Sequence, residues 1–470
     1  MFASSRLAPL LLAFAAASFA SCSERAARPN VVLVTLDTTR ADRLSCYGHR
    51  RTTSPNLDRL AKESLLFTRA YAVTSWTLPS HASLFTGKFP SSHGAQYDEH
   101  GALKLSQALA GQGRAAFQNY RVRTLSPDEQ TLASILSAAG WRTCGVAGGP
   151  WTKELFGLGL GFERYDDENL SSLNGRPGDD VTRAGLEFVR AHPDEPFFVF
   201  LNYFDAHEPN RPSDDDVRAI LAPGESFETL DPAEQLRVKY EAEMFAADRA
   251  FGRFVDGLRE LERFDDTWIV VVGDHGQLLG ERFLGGEPLG GHGYTLSEGE
   301  LRIPLLIKAP HGAWRGVADT PLQQVDLLPL LLQELDLPLP SGVQGESPVV
   351  DGRPRAVRHP IVAELYPIET TVAQGLEEDW RVRGAWRVIL DGTFKFSWHG
   401  GGRNALVDLA RDPEERENVL AAHPERAAAL EERLSRYLGS LPPPKAQGAG
   451  GEIDAKTAEE LKQLGYLGDQ

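Results

Sequence analysis

Three short apolar runs, each followed at once by acidic or histidine side chains, constrain this chain more than any other feature. Val31–Leu36 (VVLVTL) runs into Asp37, Phe197–Tyr203 (FFVFLNY) into Asp205 and His207, and Trp268–Val272 (WIVVV) into Gly273-Asp274-His275-Gly276. Ile303–Ile307 (IPLLI) is a fourth run of the same kind. Runs this apolar on both sides of the pleat read as strands buried on both faces. Helical stretches such as Leu132–Ala139 and Glu241–Glu262 lie between them. The alternation predicts an α/β fold, a large mostly parallel sheet sandwiched by helices. Ligands of such sheets bind beyond the carboxyl ends of the strands, so these side chains can converge on one site. A single Asp after a strand is ordinarily a cap or turn residue. Three such strand ends, two of them bearing His, suit a divalent cation such as Zn²⁺ or Mn²⁺.

Thr74–Gly87 (TSWTLPSHASLFTG) reads as a helix with Pro79 in its first turn and Gly87 at its end. Thr77 then stands at the helix N-terminus, where free N–H groups and the dipole favour an anion. Two roles are open to it. One is a simple N-cap; the other is a nucleophile whose hydroxyl is acidified by a neighbouring metal.

The mature chain divides into a large α/β domain over 29–340 and a smaller α+β subdomain over 357–441. The Pro-, Gly- and Ser-rich stretch Leu337–Asp351 separates them. The strand-like pieces Trp386–Leu390, Phe394–Trp398 and Ala405–Leu409 predict a small antiparallel sheet in the second part. Leu430, Leu434 and Leu438 predict a helix with one apolar face. Residues 442–470 read as a linker, Pro442–Gly451, and a last short helix, Ala455–Leu464. Ala102–Arg123 reads as a surface excursion.

Residues 1–21 carry Arg6 and an apolar stretch, Leu7–Ala20, too short to span a bilayer, which needs about 20 apolar residues. This is an export signal. Phe19-Ala20-Ser21-Cys22 resembles a bacterial lipoprotein box, with plain secretory cleavage as the other reading. Lipidation at Cys22 is the only membrane attachment expected. With 49 Lys+Arg against 66 Asp+Glu, a net charge of −17, the chain has no basic surplus for nucleic acid. Its 3 cysteines cannot build a disulfide scaffold.

Read together, the motifs carry a family resemblance. NVVLVTLDTTRADRLSCYG (Asn30–Gly48), TSPNLDRLA (Thr53–Ala61), TLPSHASLFTG (Thr77–Gly87) and GFERYDDE (Gly161–Glu168) are followed by FLNYFDAHEP (Phe200–Pro209), GDHGQLLGE (Gly273–Glu281), GHGYTLSEGELRIPLLIKAP (Gly291–Pro310) and LVDLARDPEERENV (Leu406–Val419). In this order they resemble the sulfatase family of the alkaline phosphatase superfamily over nearly all of the mature chain. The resemblance implies metal ligation by Asp37, Asp274 and His275, with the Thr77 hydroxyl as fourth ligand. It also implies that His207 and His292 face the substrate's transferring oxygens, where each can hydrogen-bond the group or protonate the leaving oxygen.

The departures from the family pattern are specific. Sulfatases carry Cys or Ser, converted to formylglycine, where this chain has Thr77, and the extra methyl of threonine would leave a ketone. The motif arginine is His81, counted here among the candidate catalytic residues. The family's Asp-Asp pair is Asp37-Thr38, which removes one hard oxygen ligand and disfavours Ca²⁺. The lysine-bearing GKWH-like segment is replaced by GGPWTK (Gly148–Lys153). Thr77 resembles the threonine-nucleophile branch of phosphodiesterases and phosphoethanolamine or glycerol-phosphate transferases.

The expected function is therefore a metal-dependent hydrolase or transferase of phosphate mono- or diesters acting through a covalent Thr77 intermediate. One divalent ion is expected, Mn or Zn ahead of Ca or Mg. A second ion on Asp205, His207 and His292 is disfavoured by the tight Asp205–His207 spacing. Two alternatives stand beside this reading: a sulfuric ester hydrolase working without formylglycine, and an inactive lipoprotein binding anions or glycans. The expected partner is a small-molecule, glycan or lipid ester in the bacterial cell envelope, on the periplasmic or cell-surface side.

Overall fold

The computed structural model describes residues 28–98, 101, 103–105, 120–168, 170, 175–284, 287–293, 295–366 and 385–445. Its centre is an eight-stranded sheet in the order 316–318, 65–67, 305–308, 267–273, 30–36, 197–203, 142–146, 164–166. Five of its seven pairings are parallel; the two made by Leu305–Lys308 are antiparallel.

The strand Asn30–Leu36 lies between Thr267–Gly273 and Phe197–Tyr203, and all three are buried throughout. Alternate side chains of such a strand face opposite layers. Val31, Leu33, Phe198, Phe200, Val270 and Val272 pack with residues of the helices Thr77–Thr86, Leu132–Ala138 and Leu327–Glu334. Val32, Val34, Val199, Leu201, Ile269 and Val271 pack with the helices Gly178–Ala191 and Pro232–Glu260. Both faces being covered explains why the runs show no polar alternation.

The register sets the site. Leu36 pairs with Gly273 on one side and with Tyr203 on the other. Asp37, Asp274 and Phe204 therefore leave the sheet at one level, at the carboxyl ends of three adjacent parallel strands.

The fourth apolar run is not one strand. Pro304, which has no N–H to give a ladder, splits it into Arg302–Ile303, paired with Ala70–Tyr71, and Leu305–Lys308 in the main sheet. The predicted surface excursion contains two described strands, Leu103–Leu105 and Tyr120–Arg123, the latter also pairing with Gln96–Tyr97.

A second sheet of four antiparallel strands, 361–365, 386–391, 394–399 and 405–408, follows. Val362, Ile389, Phe396 and Leu406 pack on Ala427, Leu430, Leu434 and Leu438 of the helix Pro424–Ser440. Val73, Phe89 and Val325 of the larger part join the same cluster and fix the small sheet against it. No helix among the described residues is long and apolar enough to cross a membrane. The export signal, Cys22 and the helix expected at Ala455–Leu464 lie outside the described residues.

Candidate active site

Asp37, Asp274 and His275 meet at the strand ends, fully buried, with one ligand atom from each within 4.8 Å of the others. Asp274 Oδ1 accepts the N–H groups of Thr38 (2.9 Å) and His275 (2.7 Å). Its other oxygen, Oδ2, and Asp37 Oδ1 are buried without a hydrogen-bond partner. Buried carboxylate oxygens are normally paired, so two orphans side by side mark a place for a cation. Burial, and then the neighbouring Asp274, holds the Asp37 carboxyl well above the ordinary carboxylate range. Burial raises Asp274 as well. His275 Nδ1 donates to the Gly276 carbonyl (2.8 Å), which turns Nε2 inward as a lone pair. Burial lowers this imidazole to about 4 and keeps it neutral, the form that binds metals. Two carboxylates and an imidazole thus fit a divalent ion.

Thr77 opens the helix Thr77–Thr86, and Gly87 ends it in the left-handed region at φ 65°. An L side chain is strained there, which accounts for the glycine. Thr77 Oγ1 lies 3.2 Å from His275 Nε2. Ser80, one turn on, donates from Oγ to the Asp274 carbonyl (2.7 Å) and ties the helix start to the ligand loop. The hydroxyl of Thr77 caps no helix N–H: the N-cap position is Trp76, with no side-chain cap bond.

His207 and His292 face each other across the same site. Their Nε2 atoms are 3.0 Å apart, and the rings of His275 and His292 have centroids 4.4 Å apart. His207 Nδ1 donates to the Glu208 carbonyl (2.6 Å), and Phe204 stacks on its ring at 4.2 Å. Its Nε2 is therefore an acceptor toward His292. Burial lowers His207 to about 4; burial, then His275 and His207, lowers His292.

His81 lies beneath this group, fully buried. Its Nδ1 donates to the Thr77 carbonyl (2.8 Å) and its Nε2 meets Thr35 Oγ1 (3.0 Å), so both ring nitrogens are spent on protein groups. Asp205 stands apart from the Asp37–Asp274–His275 group: its Oδ1 accepts Gly178 N–H (3.0 Å) at the start of the helix Gly178–Ala191.

Sequence reasoning passed over the residue that joins these parts. Asn202, fully buried in FFVFLNY, donates from Nδ2 to Thr35 Oγ1 (3.0 Å) and to Asp37 Oδ2 (3.4 Å). Its Oδ1 accepts Gly148 N–H (3.1 Å) and Gly149 N–H (3.0 Å). The only available clue was one polar side chain in an apolar strand. Gln324 was also missed; its Nε2 donates to the Gly273 (2.9 Å) and Asp274 (2.6 Å) carbonyls.

The sulfatase family model matches residues 29–337. The multifunctional alkaline phosphatase superfamily protein PehA of Trinickia caryophylli is 26% identical, over 87% of this chain and 95% of its own. The structure of BT4656 in complex with its substrate, D-glucosamine-2-N,6-O-disulfate, superposes with a TM-score of 0.68 at 18% identity, covering 88% of this chain and 99% of that one. The phosphonate monoester hydrolase of Agrobacterium radiobacter does so with a TM-score of 0.65 at 21% identity, covering 88% and 95%. The architecture is alkaline phosphatase-like, and the relatives are ester hydrolases. With the family model covering about two thirds of its length, the chain belongs to the sulfatase family.

Proposed function

We propose that this sulfatase-family enzyme hydrolyses or transfers phosphate mono- or diesters through a covalent intermediate on Thr77. The observation that carries the reading is the placement of a threonine hydroxyl, 3.2 Å from His275 Nε2, beside two buried carboxylates. Threonine has the hydroxyl for direct attack but cannot be oxidised to the aldehyde that formylglycine chemistry requires.

Asp37, Asp274, His275 and the Thr77 hydroxyl would hold one divalent ion, Mn²⁺ or Zn²⁺ by donor type. When bound, it supplies Lewis acidity, lowering the hydroxyl pKa and offsetting the charge of the transferring group. Thr77 Oγ1 loses its proton to solvent and attacks phosphorus in line; the bond from phosphorus to the leaving oxygen breaks as the new one forms. His207 and His292, whose Nδ1 atoms face carbonyls, share one proton between their Nε2 atoms; it hydrogen-bonds the phosphoryl group and passes to the departing alkoxide. Water or another alcohol then attacks the phosphothreonine, the Thr77–phosphorus bond breaks, and the proton released by the attacking hydroxyl restores that of Thr77. His81 and Asn202 touch no reacting atom in this scheme; they hold Thr77 and Asp37 in place.

The same reading puts the substrate in the cell envelope, where export and lipidation of Cys22 would hold the enzyme. The test is a parallel screen of phosphomonoesters, phosphodiesters and sulfate esters with added Mn²⁺ or Zn²⁺. Phosphate esters should turn over fastest. A preference for sulfate esters, or Thr77→Ala at full rate, overturns the proposal.

A further inference from the structure

The small C-terminal sheet does more than cover apolar surface. On its third strand, Lys395 is 1% exposed, and its Nζ lies 2.7 Å from Glu415 Oε1 and 3.8 Å from Glu298 Oε1. Glu415 sits in the turn after the last strand of that sheet, at φ 54°, a left-handed conformation that a non-glycine residue adopts at a cost. Its second oxygen, Oε2, accepts the backbone N–H of Glu298 at 2.8 Å. One carboxylate therefore bridges a buried ammonium of the small sheet and the first residue of the short helix Glu298–Leu301 in the larger domain.

That helix touches the segments that carry His275 and, through Thr295, Ser75. The Glu300 carbonyl accepts the N–H of Gly276, the residue after His275, at 2.7 Å. The Glu300 side chain, fully buried, accepts the Thr295 hydroxyl and Ser297 Oγ (3.0 Å), folding the segment back on itself. The Thr295 carbonyl accepts Ser75 Oγ (2.7 Å), and the Ser75 carbonyl meets His292 Nδ1 (3.3 Å). Two residues after Ser75 comes Thr77. Close packing leaves the helix little freedom: a Cβ on Gly276 would come within 2.0 Å of the Gly299 carbonyl oxygen.

We infer that Glu415, held by Lys395, is a positioning residue for the reaction: it fixes the helix Glu298–Leu301 from the C-terminal subdomain, and through Glu300 and Ser75 sets His275 and His292. The inference rests on the proposed Thr77 chemistry only for its activity readout. Its physical basis is that an N–H···O bond to the first residue of a helix satisfies an otherwise unpaired donor and fixes where that helix starts, and that this bond is part-buried.

The experiment separates the N–H contact from the charge. Glu415→Gln removes the charge facing Lys395 but keeps an oxygen able to accept the Glu298 N–H. Glu415→Ala removes both. Glu415→Asp keeps the charge but is one methylene shorter, and serves should the alanine variant fail to fold. Mn²⁺ affinity is read by electron paramagnetic resonance titration, and kcat and KM on the best phosphate ester. Glu415→Ala or Glu415→Asp should weaken Mn²⁺ binding about tenfold, the usual scale for outer partners of metal ligands. kcat should fall about 10- to 100-fold, as expected of a small misplacement of reacting groups, with KM little changed. Glu415→Gln should keep most of both.

Alanine and aspartate variants that match the wild type in Mn²⁺ affinity and kcat overturn the inference and leave the Thr77 proposal standing. So does a glutamine variant that falls as far as they do, because charge pairing alone would then account for the loss. Wild-type protein that binds Mn²⁺ but turns over no phosphate ester removes the Thr77 proposal, while the affinity comparison still decides the role of Glu415. Wild-type protein that binds no Mn²⁺ and turns over no ester overturns both.

Discussion

Thr77 Oγ1 and His275 Nε2 approach to 3.2 Å, although 198 positions separate them in the chain. The approach follows from register: the strand before His275 pairs residue for residue with the strand before Asp37, and the Thr77 helix packs on the sheet face beside them. Because His275 Nδ1 is spent on the Gly276 carbonyl, Nε2 accepts a hydrogen bond from the Thr77 hydroxyl in the absence of a cation.

This contact predicts the outcome of replacing Thr77. Thr77→Ala should lose several powers of ten in kcat, on the order of 4–8 kcal/mol of barrier lowering. Thr77→Ser should keep part of the rate, having the hydroxyl but not the methyl that fixes its rotamer. Single-turnover trapping with a fast phosphodiester, then mass analysis of the Thr77 peptide, should find a phosphoryl adduct. An unmodified peptide throughout a productive turnover would move the nucleophile to water.

Metal binding should depend on pH in a direction fixed by the two buried carboxyls. Asp274 stands at about 6 in the folded protein against an ordinary 3.8, and Asp37 is raised too. The folded, metal-free protein therefore binds more protons than the unfolded chain between these values. The corresponding stability is fully present below pH 3.8 and is lost as pH rises through the folded values. A cation replaces those protons, so added Mn²⁺ should raise Tm more at pH 7.5 than at pH 5. Thermal melts with Mn²⁺ and with a chelator check this; an equal gain at both pH values would contradict the assignment of Asp37 and Asp274 as ligands.

Asn202 should matter both to folding and to the site. Asn202→Ala leaves the buried N–H groups of Gly148 and Gly149 without their acceptor and frees Asp37 Oδ2. Unpaired buried groups of this kind cost about 1–3 kcal/mol each. Denaturant unfolding should show a loss of at least this order, and Mn²⁺ affinity should fall about tenfold. A variant as stable as the parent would mean that water takes the place of the amide.

These residues also show what the sequence could and could not disclose. Asp37, Thr77 and the Asp274-His275 pair were legible because each sits at the end of a strand or start of a helix, where short-range pattern alone predicts exposure to a ligand. His207 was legible from its place just after the strand FFVFLNY, His292 only through its motif. Asn202 was not, because a polar residue inside FFVFLNY has no local signature of its partners; Asp37 lies 165 positions away and Gly148 54. Glu415 was hidden for the same reason, its contact with Glu298 spanning 117 positions. The run IPLLI read as one strand since apolarity outweighed the missing N–H of Pro304, which in fact divides it between two sheets.

The facing imidazoles of His207 and His292 yield the last prediction. Their Nε2 atoms are 3.0 Å apart beside His275, and both Nδ1 atoms face carbonyls, those of Glu208 and Ser75, so a proton between the Nε2 atoms is the one the pair can pass on. A group that protonates the leaving oxygen matters most when that oxygen is strongly basic. His292→Ala should therefore lower kcat/KM by about 10²–10⁴-fold for alkyl phosphate esters, and by far less for nitrophenyl esters, whose leaving group needs no proton. Comparing the two substrates in wild type and variant tests this. Equal losses for both would assign His292 to binding the transferring group, because an interaction with the phosphoryl oxygens is indifferent to which alcohol departs.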